Sequence, residues 1–244
     1  MVEILFLGTG ASVVTARRVC SGILIEGSKL FDCGFGVLVN LRKAKANLAE
    51  IDEVYITHTH SDHVGDFTGL LWAMQLEGRE RALRIVSSSK VASNLKRIME
   101  AQSTPKNFIE FDLQFIRPNE IGVKTIRTYH IPENLAYRVD VNGSEIVYTG
   151  DTAYSEDVVR FSKEAGLLIH DSTFLSSQDK QATRTNHSTA KDAALTAHRA
   201  NVKHLVMTHI SPLNEGKEET YIEEAKAFSS ARTTVARDLM RLNI

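Results

Sequence analysis

The sequence contains only two cysteines, Cys20 and Cys33, in 244 residues. Their spacing matches no thiolate metal motif, and two cysteines are too few to frame a disulfide scaffold. This scarcity predicts a reducing compartment, and we expect the cytoplasm. The sequence also lacks a segment long and apolar enough to span a bilayer, and its first residues show no basic stretch leading into the long apolar run of a secretory signal.

The sequence also lacks an excess of charge of either sign, because it contains 29 basic and 30 acidic residues. No overall attraction to nucleic acid or to an anionic membrane surface follows from this balance. The sequence has no linker, repeat or low-complexity segment. With 43% hydrophobic residues, the chain can bury a full core without oligomerisation, so we expect one domain over residues 1–244.

Strands dominate the predicted first part of the chain, and alternating helices and strands dominate the later part. The Asn142-Gly143 pair, between two apolar runs, predicts a tight hairpin. This order of elements predicts a mixed α/β (α+β) fold in which two sheets pack face to face with helices outside. The predicted strands cover 2–7, 22–25, 30–31, 54–57, 83–86, 123–129, 136–141, 145–149, 167–169 and 204–207. The predicted helices cover 67–76, 90–101, 156–164, 190–200 and 218–228.

Three histidines and two aspartates crowd the point where the strand at 54–57 gives way to a helix. For any single histidine, a hydrogen-bonded core position is the preferred interpretation, but three within six residues are rarely structural. His58 and His60 can converge on one ion, while Asp62 and His63 can face a neighbouring ion. Imidazole and carboxylate ligands without thiolate favour two divalent ions, zinc first, with manganese or iron as alternatives.

Further polar residues follow the ends of other predicted strands, namely His130, Asp151 and His209. All three share one topological position with the histidine cluster. Gly150 lets the backbone approach a metal closely, and the two oxygens of a carboxylate can bridge two cations. Asp151 is therefore the predicted bridge.

These residues carry a resemblance to the metallo-β-lactamase superfamily, whose hallmark H-x-H-x-D-H stands here at 58–63. Within it, the chain resembles ribonuclease Z and its relatives through the stretches 7–12, 21–24, 30–34, 187–189 and 208–212. The resemblance implies a four-layer αβ/βα sandwich. It also implies the ligand sets: His58, His60 and His130 for one metal, Asp62, His63 and His209 for the other, with Asp151 between them.

The sequence departs from the ribonuclease Z pattern in two places. That group usually carries Gly-Glu-Gly-Thr-Gln after the Asp-Cys of its third strand, whereas Phe35, Gly36, Val37 and Leu38 follow Gly34 here. Many members also insert a long arm that grips transfer RNA between the counterparts of His130 and Asp151, for which only twenty residues are present. Without that arm and without net positive charge, recognition of a folded RNA is harder to support.

The resemblance further implies roles in catalysis for two residues. Two divalent ions activate water and neutralise charge on a phosphoryl oxygen, and Asp62 orients or deprotonates the attacking water. His187 contacts the phosphate or protonates the departing oxygen. Asp32 is interpreted as a supporting residue, and Cys33 is assigned no chemistry.

Three classes of function remain open on the sequence alone. The first is phosphodiester hydrolysis by a ribonuclease Z-like endoribonuclease without the arm, or by an enzyme for small diesters such as cyclic nucleotides. The second is hydrolysis of another ester, such as a thioester or an aryl sulfate, and the third is a non-catalytic binding module. The predicted partners are RNA or a small nucleotide, with no membrane, and a homodimer stays open.

Overall fold

The computed structural model describes residues 1–105 and 107–244, and its framework is two β-sheets. The strands are β1 (Glu3–Gly8), β2 (Gly22–Ile25), β3 (Lys29–Phe31), β4 (Glu53–Tyr55), β5 (Leu83–Val86), β6 (Leu113–Ile116), β7 (Lys124–Arg127), β8 (Leu135–Val141), β9 (Ser144–Tyr148), β10 (Leu167–Asp171), β11 (His204–Thr208), β12 (Arg232–Val235) and β13 (Met240–Asn243). The first sheet has the order β13-β1-β2-β3-β4-β5-β6, and the second has the order β12-β11-β10-β9-β8-β7.

Helices cover the outer faces of the two sheets. They are α1 (Val37–Lys43), α2 (Ser61–Val64), α3 (Phe67–Leu76), α4 (Ser89–Ala101), α5 (Glu156–Phe161), α6 (Asp179–Thr185), α7 (Ala190–Arg199) and α8 (Glu218–Lys226). Short 3-10 turns occupy 48–50, 118–121, 176–178 and 212–214. Among the described residues, no helix combines the length and the apolarity needed to cross a bilayer.

Strand alternation creates the layers, because successive side chains point to opposite faces of a sheet. In β10, Leu167 and Ile169 join the cluster between the sheets, whereas Leu168 joins the cluster beneath α7 and α8. Phe31 stacks on Tyr55 in the inner cluster, with ring centroids 4.4 Å apart. A third cluster packs the first sheet against α1, α3 and α4. The predicted four-layer α/β sandwich is therefore confirmed.

Parallel strands place the polar segments of the chain at one edge of the sandwich. Strands β3 to β6 run parallel in the first sheet, as do β9 to β12 in the second. Since the carboxyl ends of parallel strands lie at the same edge, the residues that follow them meet there. A buried hydrogen bond from the Tyr148 hydroxyl to Asp32 Oδ2, 2.8 Å long, joins the two sheets at this edge.

Most predicted elements lie where the sequence places them, and the differences concern short or polar segments. The hairpin at Asn142-Gly143 is present, with positive φ angles of 52° and 80° as its turn type requires. The strand predicted at 123–129 ends at Arg127, so His130 lies on a loop rather than at the strand end. The sequence pattern did not predict α1, α6, β6, β12 or β13, because these segments are short and mix polar with apolar residues.

Candidate metal centre

Four side chains converge at the edge of the sandwich to form a first group of metal-ligating atoms, all within 4.8 Å of one another. The group comprises His58, His60, His130 and Asp151. His60 Nδ1 lies 3.0 Å from His58 Nε2 and 3.4 Å from His130 Nε2. Asp151 Oδ2 lies 3.5 Å from His58 Nε2 and 3.6 Å from His130 Nε2. The structure thus brings together three histidines separated by up to 72 positions in the sequence.

A second group forms beside the first from Asp62, His63 and His209. His63 Nε2 lies 3.3 Å from His209 Nε2, which in turn lies 3.4 Å from Asp62 Oδ2. The other oxygen of Asp151, Oδ1, faces this group at 3.2 Å from His63 Nε2 and 3.4 Å from His209 Nε2. The two oxygens of one carboxylate therefore address two different groups.

The outer ring nitrogens define the tautomers of four histidines. His63 Nδ1 lies 2.8 Å from Asp32 Oδ2, and His130 Nδ1 lies 3.2 Å from the Asn186 carbonyl. These two acceptors require Nδ1–H donors. The remaining pairs, each with a threonine hydroxyl, are His58 Nδ1 with Thr57 Oγ1 at 3.0 Å and His209 Nδ1 with Thr173 Oγ1 at 2.8 Å.

Each of those threonine hydroxyls has a carboxylate to donate to, so it accepts from the histidine. Thr57 Oγ1 donates to Asp32, and Thr173 Oγ1 donates to Asp171 Oδ1 at 2.7 Å. All four imidazoles therefore donate outward and turn a bare Nε2 lone pair inward, which is the arrangement that metal-binding histidines adopt. Asp32 was predicted as a supporting residue, and it lies behind His63 in that position.

A divalent cation fits the space between the inward-facing atoms. The lone pairs of His63 Nε2 and His209 Nε2 point at each other across 3.3 Å, and Asp151 Oδ1 is buried without a hydrogen-bond donor. Burying such acceptors unpaired is costly, and a positive charge between them removes that cost. The donor set of imidazole nitrogens and carboxylate oxygens is also the one that zinc, manganese and iron accept.

The acid–base properties of these residues reflect the same shortage of positive charge. Burial opposes ionisation of Asp151, but His209, His63 and His58 hold the pKa of its carboxyl well below the usual range. Burial likewise opposes a charge on His63, yet Asp151 and Asp32 raise the pKa of that imidazole well above its ordinary value, so its Nε2 lone pair favours a cation, either a proton or a metal ion. Burial lowers the pKa of His58. The centre thus keeps its carboxylates ionised and attracts positive charge.

Unusual backbone conformations accompany the centre. Asp32, His209 and Ser12 adopt positive φ angles of 57°, 59° and 65°, which are uncommon for residues with side chains and cluster at functional sites. The Ser12 amide donates to Asp62 Oδ2 at 2.7 Å and so holds that carboxylate from outside the ligand groups. Gly150 has a φ of 56°, and a Cβ there would lie 2.5 Å from Asn134 Oδ1.

His187 belongs to neither of these two groups, but its imidazole forms a third set of potential ligand atoms with Asp151, Asp171 and His209, all within 4.8 Å of one another. Its ring stacks on His209 at 5.1 Å and lies 4.9 Å from the ring of His130. Its Nδ1 donates to Asp171 Oδ2 at 2.7 Å, which leaves Nε2 free. Burial opposes a charge on this ring, but Asp171 raises the pKa of His187 to about 9. Asp171 therefore favours the protonated, cationic form of the ring.

Sequence reasoning assigned no role to Asp171, and the structure places it behind His187. Its Oδ2 also accepts from the Thr152 amide at 3.0 Å, and its Oδ1 accepts from the Thr173 amide and hydroxyl. Both oxygens of Asp171 are hydrogen-bonded, so it orients His187, Thr152 and Thr173 from the edge of the centre. The signal that would have identified it is the one used for Asp151, a carboxylate at the end of a parallel strand.

The two cysteines take no part in the centre. Both are free and buried, and burial raises the pKa of Cys20 to about 12 and that of Cys33 well above the usual range. A thiolate ligand is therefore unfavourable, as the sequence spacing predicted.

Comparison with known proteins agrees with this geometry. The ribonuclease Z of Haloarcula marismortui is 27% identical, over 99% of this chain and 96% of that protein. The metallo-β-lactamase fold protein YhfI of Bacillus subtilis matches with a TM-score of 0.86 at 24% identity, covering 99% of this chain and 98% of that one. The short form of human tRNase Z (ELAC1) matches with a TM-score of 0.80 at 26% identity, covering 99% of both chains.

Fold and site together define a metal-dependent hydrolase of the metallo-β-lactamase superfamily, similar to ribonuclease Z. Within that class, a family model described as Anti-Pycsar protein Apyc1 matches residues 2–220. The chain belongs to this family.

Proposed function

We propose that the protein hydrolyses small nucleotide phosphodiesters with two divalent ions, zinc in the first place. The ions would be held by the residues named in the sequence analysis: His58, His60 and His130 on one side, Asp62, His63 and His209 on the other, with Asp151 between them. The observation that carries this proposal is the division of the two Asp151 oxygens between two groups of inward-facing atoms. Two such ions activate water and neutralise charge on a phosphoryl oxygen.

Asp62 and His187 would handle the protons of the reaction. The Asp62 side chain is 10% exposed, whereas that of Asp151 is 2% exposed, so Asp62 is the more accessible carboxylate for an attacking water. Held by the Ser12 amide, it orients that water and takes its proton. The free Nε2 of His187, with its proton retained by Asp171, would protonate the departing oxygen.

Substrate size is the finer part of the proposal. The 301 positions aligned with the Haloarcula marismortui relative exceed the 244 residues of this chain, so at least 57 of those positions have no counterpart here. Between His130 and Asp151, the chain forms only the β8–β9 hairpin and its flanking turns. Because no arm rises there, we propose that small diesters rather than a folded transfer RNA are the preferred substrates.

Local charge supports an anionic substrate of this kind. Four exposed cations lie within eight positions of Ser12, His187 or His209 in the sequence, and none forms an ion pair with another described residue. They are Arg17, Lys180, Arg184 and Lys217. Such cations raise the local concentration of an anion even though the whole chain is nearly neutral. Of the other basic residues near the N-terminus, Arg18 is buried and bonded to Glu218, and Lys29 pairs with Glu53.

We expect metal-loaded protein to cleave bis(p-nitrophenyl) phosphate and cyclic nucleotides more efficiently, by kcat/KM, than it processes precursor transfer RNA. The three substrates are compared at equal enzyme and metal concentrations, and an Asp151→Ala preparation exposes any contaminating phosphodiesterase. Efficient processing of the precursor with no cleavage of any small diester would contradict the proposed substrate size, because another surface would then replace the arm.

A second prediction concerns the pair formed by His187 and Asp171. Asp171→Asn should lower kcat on a diester with a poor leaving group by about tenfold to a hundredfold, since the carboxylate that orients and charges His187 is lost. At saturating metal, both ions should remain. The matched control is Asp192→Asn, which removes a carboxylate from the helix cap just after His187, where it accepts from Thr189. An unchanged kcat for Asp171→Asn would show that the pair has no part in turnover.

We propose that residues 1–244 form one domain, because β1 and β13 are neighbours in one sheet and both sheets contribute residues to the centre. A cytoplasmic location is supported by the two free, buried cysteines. A homodimer stays a prediction to be tested by solution mass measurement.

A further inference from the structure

We infer that Asn134 is a positioning residue that fixes the spacing between the loop of His130 and the turn of Asp151. It lies at the end of that loop, directly before β8, and is fully buried. Neither its sequence position nor its residue type singled it out, and its amide contributes no atom to either ligand group. The inference depends on the proposed metal centre, because its effect is exerted on two of the proposed ligands.

The Asn134 amide uses its donors and its acceptor on both segments at once. Its Nδ2 donates to Thr128 Oγ1 and to the Thr149 carbonyl, each at 2.8 Å. Its Oδ1 accepts from the Asp151 backbone amide at 3.2 Å. The identity of these partners fixes the orientation of the amide, because a carbonyl can only accept and a backbone N–H can only donate.

Two additional bonds close a ring around Asn134. The Thr128 hydroxyl donates to the Asp151 carbonyl at 2.7 Å, and the Thr128 amide donates to the Asn134 carbonyl at 3.1 Å. The ring therefore joins the start and end of the His130 loop to the backbone of Asp151 itself. A shift of either segment breaks at least one of these bonds.

Asn134 also lies next to a third segment, the one that carries Thr57 and His58. Gly150 packs against the Asn134 amide so closely that a Cβ at this glycine would lie 2.5 Å from Oδ1 and 2.9 Å from the Thr57 Cβ. The next residue, Leu135, donates its amide to the Thr57 carbonyl at 3.1 Å. Thr57 directly precedes His58, so the turns that carry three proposed ligands meet at this point.

Loss of this amide should weaken metal binding, because residues that orient metal ligands typically contribute tenfold to a hundredfold to affinity. Asn134→Ala removes the three ring bonds that the Asn134 side chain makes, to Thr128 Oγ1, the Thr149 carbonyl and the Asp151 amide. Asn134→Asp keeps the shape, but it directs an acceptor at the Thr149 carbonyl, which leaves that buried carbonyl without its donor. Both variants should therefore displace the Asp151 carboxylate relative to His130.

The experiment measures zinc dissociation constants on protein stripped of metal, by competition with a chromophoric chelator, for wild type, Asn134→Ala and Asn134→Asp. The matched control is Asn40→Ala, because Asn40 is also buried and donates its amide to a backbone carbonyl, that of Leu7 at 2.7 Å, on a helix that carries none of the proposed ligands. Melting temperatures of the metal-free proteins and the absorption spectra of their cobalt(II) forms are recorded in parallel.

We expect both Asn134 variants to bind zinc about tenfold to a hundredfold more weakly and to show an altered cobalt(II) spectrum. Asn40→Ala should lose thermal stability while its zinc affinity stays within about twofold of wild type. Wild-type affinity in the Asn134 variants, with only the melting temperature lowered, would reduce Asn134 to a purely structural residue and overturn the inference.

Thr128→Val keeps the inference testable if the Asn134 variants do not fold. It removes only the hydroxyl that links the Asn134 amide to the Asp151 carbonyl, and we expect zinc binding about threefold to tenfold weaker. Unchanged affinity in this variant would contradict the inference. Wild-type protein that binds no zinc, cobalt or manganese would instead contradict the proposed metal centre, so the two failures are distinguishable.

Discussion

Asp151→Ala should reduce the metal content of the purified protein from close to two ions per chain to one or fewer and should abolish most of its activity. The substitution removes both oxygens that face the two ligand groups. Each ion supplies several kcal/mol of transition-state stabilisation, so loss of about 4 kcal/mol corresponds to a fall of about a thousandfold in kcat. Elemental analysis and turnover of bis(p-nitrophenyl) phosphate measure the two effects.

The control for this experiment is Asp157→Ala, which removes an exposed carboxylate that pairs with Arg160 on α5. Its metal content and kcat should equal those of wild type. If Asp151→Ala kept two ions per chain at wild-type affinity, Asp151 would not be the bridge, and the assignment of ligands to two groups would have to be abandoned.

His187→Ala should retain both ions and lower kcat by about a hundredfold to ten-thousandfold on a diester whose leaving group is a poor one. The loss should shrink with p-nitrophenolate, which departs without a proton. Because His187 belongs to neither of the two proposed ligand groups, measuring the metal content distinguishes loss of a proton donor from loss of an ion. The exposed His198 of α7, changed to Ala, provides the control for loss of an imidazole.

The pH dependence of this reaction follows from the charge on His187. Asp171 raises the pKa of this imidazole to about 9, so the protonated form needed for donation is present at neutral pH and is lost as pH rises through that region. Metal cations bound nearby lower the pKa of His187 and so move this loss to a lower pH. Wild-type kcat on the poor leaving group should therefore fall on the alkaline side, and His187→Ala should lack that decline. If His187→Ala instead lowered kcat equally on diesters with good and with poor leaving groups, His187 would stabilise charge on the phosphate rather than donate a proton.

The layer architecture and most of the elements could be predicted because periodicity is local. Alternating apolar residues in β8 and β9, with Asn142-Gly143 between them, specify a hairpin without reference to the rest of the chain. Segments such as β12, whose residues Arg232 to Val235 are mostly polar, are strands only because β11 lies beside them. Their conformation depends on tertiary pairing that no short window of sequence contains.

The ligands of the candidate site could be predicted, because their residue types alone identify them as potential metal ligands. Histidines and aspartates after strand ends pointed to the inner atoms, and the structure brings all seven predicted ligands together. The supporting residues were not predictable in the same way. Thr57, Thr173 and Asn134 have residue types common in loops, and the role of each requires at least one partner that lies 15 to 36 positions away in the sequence.

The proposed ligands come from both sheets, since His58 to His63 follow β4 in the first sheet, whereas His130, Asp151 and His209 follow strands of the second. An ion can then bind fully only where the sheets are already packed, and the unfolded chain offers no such arrangement. By thermodynamic linkage, each ion that binds only the folded state adds about 2.7 kcal/mol to the free energy of unfolding when its free concentration is about 100 times its dissociation constant. Metal supply would therefore set the lifetime of this protein as well as its activity, because chain starved of metal unfolds more often and is more exposed to proteolysis.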